Sequence, residues 1–429
     1  MTKLWKKSSA KLNPIIEQYT VGDDTKMDLI LMPYDIKASI AHAKMLGSIN
    51  ILKDDELESI LIGLEELYVK CKRNKISISI SDEDCHTVIE NYLTDKIGNA
   101  GKKIHTGRSR NDQVLTALRL YMKHSLSLIK ASALKLSGEF IKQSKKCESV
   151  PLPGYSHTQQ AMPSSVGHYY LSFAESLIDD VEFIQSVYKQ IDKCPLGSAA
   201  GFGVSIPLDR QQVCDELGFS NIQLNSLYCQ NSRGKFESIY LEGLVQIMMT
   251  LGKFASDILL FTSQEFNFFQ VDDSLVTGSS IMPQKKNLDG LEILRGNVSR
   301  ISADQIMVKN IAIGLISGYH RDYQLIKKPL MESTQIALQS LKVAMLYLEG
   351  ITPNEEEIKN KISKGIFSAD IANKMVEEKG IPFRDAYKLA SNINDVSMEF
   401  KPDKANNVSL GAPGNLGTKI LEDRLLGFI

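Results

Sequence analysis

This chain has almost no excess of charge. Its 50 lysines and arginines nearly balance 51 aspartates and glutamates, for a formal net charge of -1. That leaves no basic footprint for nucleic acid or an anionic membrane surface. Long apolar runs are lacking too: none reaches the roughly 18 residues of a membrane span. The opening MTKLWKKSSAKLNP is basic but has no apolar core after it, so it does not read as a secretory signal. Cysteine is sparse and scattered. Cys71, Cys85, Cys147, Cys194, Cys214 and Cys229 form no CxxC pair, which speaks against a disulfide framework or a zinc site and fits a reducing cytoplasm. Each reads as a small buried apolar residue. Several nucleotide and hydrolase signatures are missing. GFGVSI at 201–206 lacks the third glycine of GxGxxG, GNLGTK in the tail has the wrong order for a P-loop, and no GxSxG elbow occurs. Strand signals are equally scarce. The best is ISISI at 76–80, too short to found a sheet.

What is present is helical periodicity. Leu57, Ile60, Leu61, Leu64 and Leu67 share one face, and Tyr170, Phe173, Leu177, Val181, Ile184, Tyr188 and Ile191 recur every three or four residues. Ile239, Leu244, Ile247, Leu251, Phe254, Ile258 and Phe261 do the same. Helices this long with broad apolar faces pack into bundles, within a chain or between chains. At 429 residues the chain is too long for one core, and its 43% apolar and 24% charged content is that of a soluble globular protein. GNAGKKIHTGR near 100–108 and GITPNEEE near 350 interrupt the pattern. The expected organisation is all-α in three parts: an N-terminal helical domain (1–105), a central long-helix bundle (106–350) and a small helical C-terminal domain (351–429).

Several polar blocks stand out against this background. GSSIMPQKKN, Gly278 to Asn287, is a loop: Pro283 would break a helix interior, and the glycine and serines favour a flexible, hydrogen-bonding backbone. It is more cationic than a plain connector requires, although alone it could be a solvated turn. HTGRSRNDQV, His105 to Val114, sets two arginines at a helix start, where guanidinium forks and helix-end N–H groups suit an anion. A salt-bridged helix start would read the same way. PGYSHTQQAMP, Pro153 to Pro163, places His157 among hydroxyls and amides that can hold its tautomer for proton transfer. In isolation it reads first as a surface histidine in a loop. In DEDCHTVIEN, His86 and Glu90 share a helix face. No third ligand follows at a suggestive spacing, so the pair reads as hydrogen-bonded rather than as a zinc site. GYHRDYQLIKKP, Gly318 to Pro329, offers Tyr319, Arg321, Gln324, Lys327 and Lys328 as donors to a carboxylate-rich ligand, or as an ordinary solvated helix face.

Together these blocks resemble a known family. GSSIMPQKKN looks like the signature loop of the fumarase/aspartase superfamily, and HTGRSRNDQV, PGYSHTQQAMP and GYHRDYQLIKKP resemble its argininosuccinate lyase branch in order and spacing. The resemblance runs from about Asp28 to the C-terminal helices. It implies an all-helical, three-domain fumarase/aspartase-like fold and a cytoplasmic homotetramer with active sites shared between subunits. It implies small-molecule chemistry without cofactor or metal: the split of argininosuccinate into arginine and fumarate, the last step of arginine biosynthesis. Matched to the family, Ser279 is the base, Lys285 and Asn287 bind and stabilise the carboxylate, His157 is the acid or a relay, and Glu292 orients it. Ser109, Arg110 and Asn111 hold substrate carboxylates. Ser156, Tyr319, Gln324 and Lys327 complete the binding set, Asp28 meets the arginine end, and His86 takes a structural or minor role. The chain departs from the family where Asp24 stands for a serine, Leu288 for a proline and Tyr228 for an aspartate in NSLYCQNSRGKF, where Arg233 stays in register. Adenylosuccinate lyase or aspartase-like chemistry, a modified argininosuccinate, or a structural oligomer are the alternatives.

Overall fold

The computed structural model describes residues 13–391 and 408–428. It is built almost wholly from helices. α1 (Asp24–Ser48), α2 (Asp54–Lys72) and α3 (Cys85–Ile97) precede the long helices α4 (Arg110–Lys146), α5 (Val166–Ile191), α6 (Lys235–Phe261), α7 (Asp289–Ala312) and α8 (Lys327–Gly350). Short helices follow, among them Ser368–Lys379, Phe383–Ala390 and Thr418–Leu426. The chain divides into two compact units. The first comprises Met1–Leu128, Ile184–Leu244 and Arg300–Gln335, and the second Ile129–Phe183, Val245–Ser299 and Ile336–Ile429. The division runs through the long helices rather than between them.

The first unit is organised by α1, α2 and α3. Met32, Ile36 and Leu46 of α1 pack with Ile60, Leu64 and Leu67 of α2 and Ile89 and Leu93 of α3. The face that the period of the sequence marks on α2 is thus the buried one. Gly63 permits the approach of α3, because a Cβ there would lie 2.7 Å from Leu93 Cδ2. α3 starts where Asp84 accepts a hydrogen bond from Thr87 N at 2.8 Å, an N-cap that halts the preceding coil. ISISI does not form a strand. Ile78 is buried and Ile76 packs against the core, yet the segment has no partner edge, and a two-faced pattern alone cannot make a ladder.

The second unit has an aromatic centre. Phe140 of α4 meets Phe254 of α6 edge-on at 5.2 Å and stacks with Phe173 of α5 at 5.5 Å. Such pairs add about 0.5–1.5 kcal/mol each beyond the area they bury. By length and composition α6 belongs to a segment apolar enough to cross a membrane. It instead buries Tyr240, Leu244, Ile247, Leu251, Phe254 and Ile258 within the fold.

Two short ribbons in this unit carry expected site residues. β1 (Pro151–Ser156) pairs antiparallel with β2 (Gln159–Ser165), so the PGYSHTQQAMP block is a hairpin and not only a loop. Its two turn residues, His157 and Thr158, both have positive φ (54° and 60°), the type I′ geometry that follows the twist of a hairpin. Gln160 ties β2 to the C-terminal segment, donating to Lys361 O at 2.7 Å and accepting from Ser363 N at 2.8 Å. The signature loop is pinched at its base by β3 (Thr277–Gly278) and β4 (Lys286–Asn287), which pair antiparallel.

Candidate functional site

The first unit holds a polar cavity of about 160 Å³. Asp24, Glu83, Asp84, His86, Arg110, Asn111, Val114, Arg233, Tyr319, Arg321, Gln324 and Lys327 line it. Five stretches far apart in sequence supply these walls: the start of α1, the turn into α3, the start of α4, the turn before α6 that carries Arg233, and the segment from Tyr319 through the 3₁₀ turn Arg321–Ile326 into α8.

The TGRSRND block divides its labour. Arg108 and Asp112 are structural. Arg108 is buried and donates from Nη1 to Ser39 Oγ at 2.8 Å. Asp112 accepts backbone N–H bonds from Ser109, Gly197 and Ala199 at 2.9, 3.0 and 2.8 Å, and so ties the start of α4 to the 197–199 loop. Between them, Arg110 and Asn111 turn into the cavity. Arg110 is held by Glu83 at 3.4 Å, Asp84 at 3.1 Å and the Thr87 hydroxyl at 2.8 Å. Glu83, itself at φ 73°, also pairs with Arg321 at 3.2 Å.

The deepest cation is Lys327. Its ammonium donates to Asp24 at 2.8 Å and to Asp28 at 2.7 Å. Asp28 is fully buried and also accepts from Cys85 N at 3.1 Å. It therefore anchors Lys327 rather than facing the cavity. Burial tends to discharge Lys327, but the two carboxylates outweigh it and hold the ammonium above its ordinary range. Asp24 feels the opposite balance. Burial and the Asp28 charge outweigh Lys327 and push its carboxyl up to about 6. The departure at Asp24 thus has a structural consequence: it is the second clamp on Lys327.

His86 does not pair with Glu90. Its Nδ1 is 2.7 Å from Asp35 Oδ2, while Glu90 lies 3.7 Å from His105 Nδ1. Asp35, Cys85 and His86 each bring one donor atom within 4.8 Å of the others. The Asp35–His86 contact is a hydrogen bond, and burial pushes the Cys85 thiol well up, away from the thiolate a metal would need. The cluster reads as a hydrogen-bonded support for the His86 ring.

The remaining expected residues lie in the second unit. His157 sits at the tip of the β1–β2 hairpin, with Ser156 beside it, and both are exposed. Ser279 lies in the signature loop, where its Oγ accepts from Ile281 N at 3.3 Å and Met282 N at 3.1 Å. Two backbone donors on one hydroxyl oxygen favour its deprotonated form. Lys285 and Asn287 follow, at the far end of the loop and in β4. Glu292 is exposed in the first turn of α7. Within the chain Glu292 and His157 share no hydrogen bond among the described residues. Gly278, which favours a flexible backbone in sequence, does not adopt a positive φ here and has open space where a Cβ would stand.

The structure thus gathers Arg110, Asn111, Tyr319, Gln324 and Lys327 around one cavity, with Asp28 beneath Lys327 and Ser109 at the start of α4. The sequence reading missed Asp24 as a partner of Lys327, Glu83 and Asp84 as partners of Arg110, and Arg233 as a wall residue. Only the acidic run DEDCH before a helix start hinted at any of them.

The comparisons follow this geometry. Solved structures share the fold. An EDDS lyase in complex with formate superposes with a TM-score of 0.80 at 20% identity, over 98% of this chain and 90% of that one. A class II fumarase from Schistosoma mansoni gives 0.74 at 16% identity, over 87% of each chain. These show the class of fold: the chain shares the all-α architecture of both structures. A family profile described as "Lyase" matches residues 8–303. The argininosuccinate lyase of Thermotoga neapolitana is 41% identical over 91% of this chain and 97% of its own length. That of Bacteroides thetaiotaomicron is 40% identical over 96% of this chain and 92% of its own. The chain belongs to the argininosuccinate lyase family.

Proposed function

We propose that this chain cleaves argininosuccinate to arginine and fumarate by anti elimination. The observation that carries the reading is the identity with argininosuccinate lyases over nearly the whole of both chains, and the motif blocks that hold Ser279, His157 and Lys285 agree with it. The chemistry matches the local geometry. A proton leaves the carbon beside a carboxylate, and the electron pair it leaves behind spreads onto that carboxylate as a dianionic aci-form. The C–N bond to the guanidinium then breaks, and the departing nitrogen takes up a proton.

Ser279 is the base. Its two backbone donors lower the cost of the alkoxide, and closure of the loop over substrate would bring up the Lys285 ammonium and exclude water. Lys285 and Asn287 stabilise the aci-carboxylate. His157, oriented by Glu292, serves the leaving nitrogen. The cavity lined by Arg110, Asn111, Tyr319, Gln324 and Lys327 takes the rest of the substrate. No cofactor or metal enters the scheme. The working form is a homotetramer in the cytoplasm, with each site completed by residues of other copies. Large apolar side chains left exposed on the long helices support assembly: Ile293 on α7 is 67% exposed and Leu346 on α8 is 54% exposed.

Purified protein mixed with argininosuccinate should release fumarate, followed by its ultraviolet absorbance. Ser279→Ala should lower kcat by about 10²–10⁴-fold while the oligomer remains intact. No fumarate from an intact wild-type oligomer would overturn the reaction.

A further inference from the structure

The charges around the cavity are almost all answered by neighbours. Lys327 is clamped by Asp24 and Asp28. Arg110 is paired with Glu83 and Asp84, Arg321 with Glu83, and His86 with Asp35. Arg233 is the exception. It is 3% exposed, it lines the cavity, and its buried Nη1 has no hydrogen-bond partner among the described residues. Its guanidinium lies against the rings of Tyr319 and Tyr323, 5.1 and 5.2 Å from their centroids, a cation–π contact with each. No salt bridge joins it to an acid among the described residues; the buried Glu237 nearby accepts instead from the backbone N–H of Gly234 at 2.7 Å. A buried guanidinium N–H without an acceptor is costly, and an anion removes that cost.

We propose that Arg233 is the carboxylate anchor of this cavity, and that Lys327, already neutralised by Asp24 and Asp28, is not. On the reading given above, on which this inference rests, the anion is the α-carboxylate at the arginine end of the substrate. Lys327 is the obvious anchor by charge and depth, yet a substrate carboxylate would have to displace one of two aspartates already at hydrogen-bond distance. Arg233 needs no displacement. Its planar fork suits a carboxylate bidentately, and the two tyrosine rings hold it ready. Asp24 is then a specificity-determining residue: by engaging Lys327 it leaves carboxylate recognition to Arg233.

The test is equilibrium binding of L-arginine and of agmatine, which lacks the carboxylate, measured by calorimetry on the wild type, Arg233→Gln and Arg233→Lys. The wild type should prefer arginine by roughly 10- to 100-fold, the range of a hydrogen bond to a charged group. Arg233→Gln should lose that preference and keep its agmatine affinity. Arg233→Lys should recover part of it. Unchanged thermal unfolding of the variants separates recognition from folding. A wild type indifferent to the carboxylate, or a Gln variant that still prefers arginine, would overturn the proposal. Binding needs no turnover, so a chain that failed to release fumarate would sink the reaction while leaving this result to decide the anchor.

Discussion

At the scale of single residues, the Asp35–His86 pair beside the cavity ties pH to stability. Burial opposes charge on both partners. For Asp35 the charge and hydrogen bond of His86 outweigh burial, so its carboxyl sits below the ordinary 3.8. For His86 the charge and hydrogen bond of Asp35 outweigh burial, so its imidazolium persists above the ordinary 6.5. The Asp35 contribution is present above 3.8 and is lost as pH falls through its folded value. The His86 contribution is present below 6.5 and is lost as pH rises through its folded value. Urea unfolding should therefore show stability falling as pH rises above about 6.5. Asp35→Asn should abolish that slope and cost about 3–5 kcal/mol at pH 6, the usual result of removing one partner of a buried pair. A wild-type stability flat across this range would mean that His86 is neutral in the fold. Neither this pair nor the Asp24–Lys327 clamp was legible in the sequence. Their members are 51 and 303 residues apart, and only tertiary packing joins them.

At the scale of elements, the helices were legible because burial imposes a period of 3.6 on any long amphipathic segment. Leu64, Phe173 and Leu251 are buried as their spacing implies. The hairpin around His157 was not, since its turn is His-Thr rather than Asn-Gly and its strands are rich in proline. ISISI failed in the other direction, with strong strand propensity and no partner. The junction of α6 and α7 shows another feature that propensity does not reveal. Gly234 adopts φ +80°, and a Cβ there would come within 2.5 Å of Ala312 Cβ. Its N–H also donates to Glu237 at 2.7 Å, which caps the start of α6. Gly234→Ala combines left-handed backbone strain with overpacking, so it should destabilise by about 2–4 kcal/mol. The urea midpoint checks this directly; a midpoint within error of wild type would mean that the end of α7 yields freely. Because Arg233 is the adjacent residue, the same variant should also weaken arginine binding.

At the scale of the whole molecule, the expected machinery falls into two sets. The polar cavity belongs to one compact unit, and the hairpin and signature loop to the other. If each site of the proposed tetramer takes its cavity from one copy and its base from another, two inactive variants can repair each other. Asn111→Ala removes a cavity residue and Ser279→Ala the base. Neither is a core residue, so both chains should fold. Refolded together in equal amounts, they should form sites with both residues intact at about one site in four, by random assortment in a closed symmetric oligomer. Each variant alone should stay near background, and mixing without refolding should add nothing. Recovery of about a quarter of wild-type fumarate release would establish that cavity and loop act in trans. No recovery from mixed oligomers of normal size would place both sets of one site in the same copy.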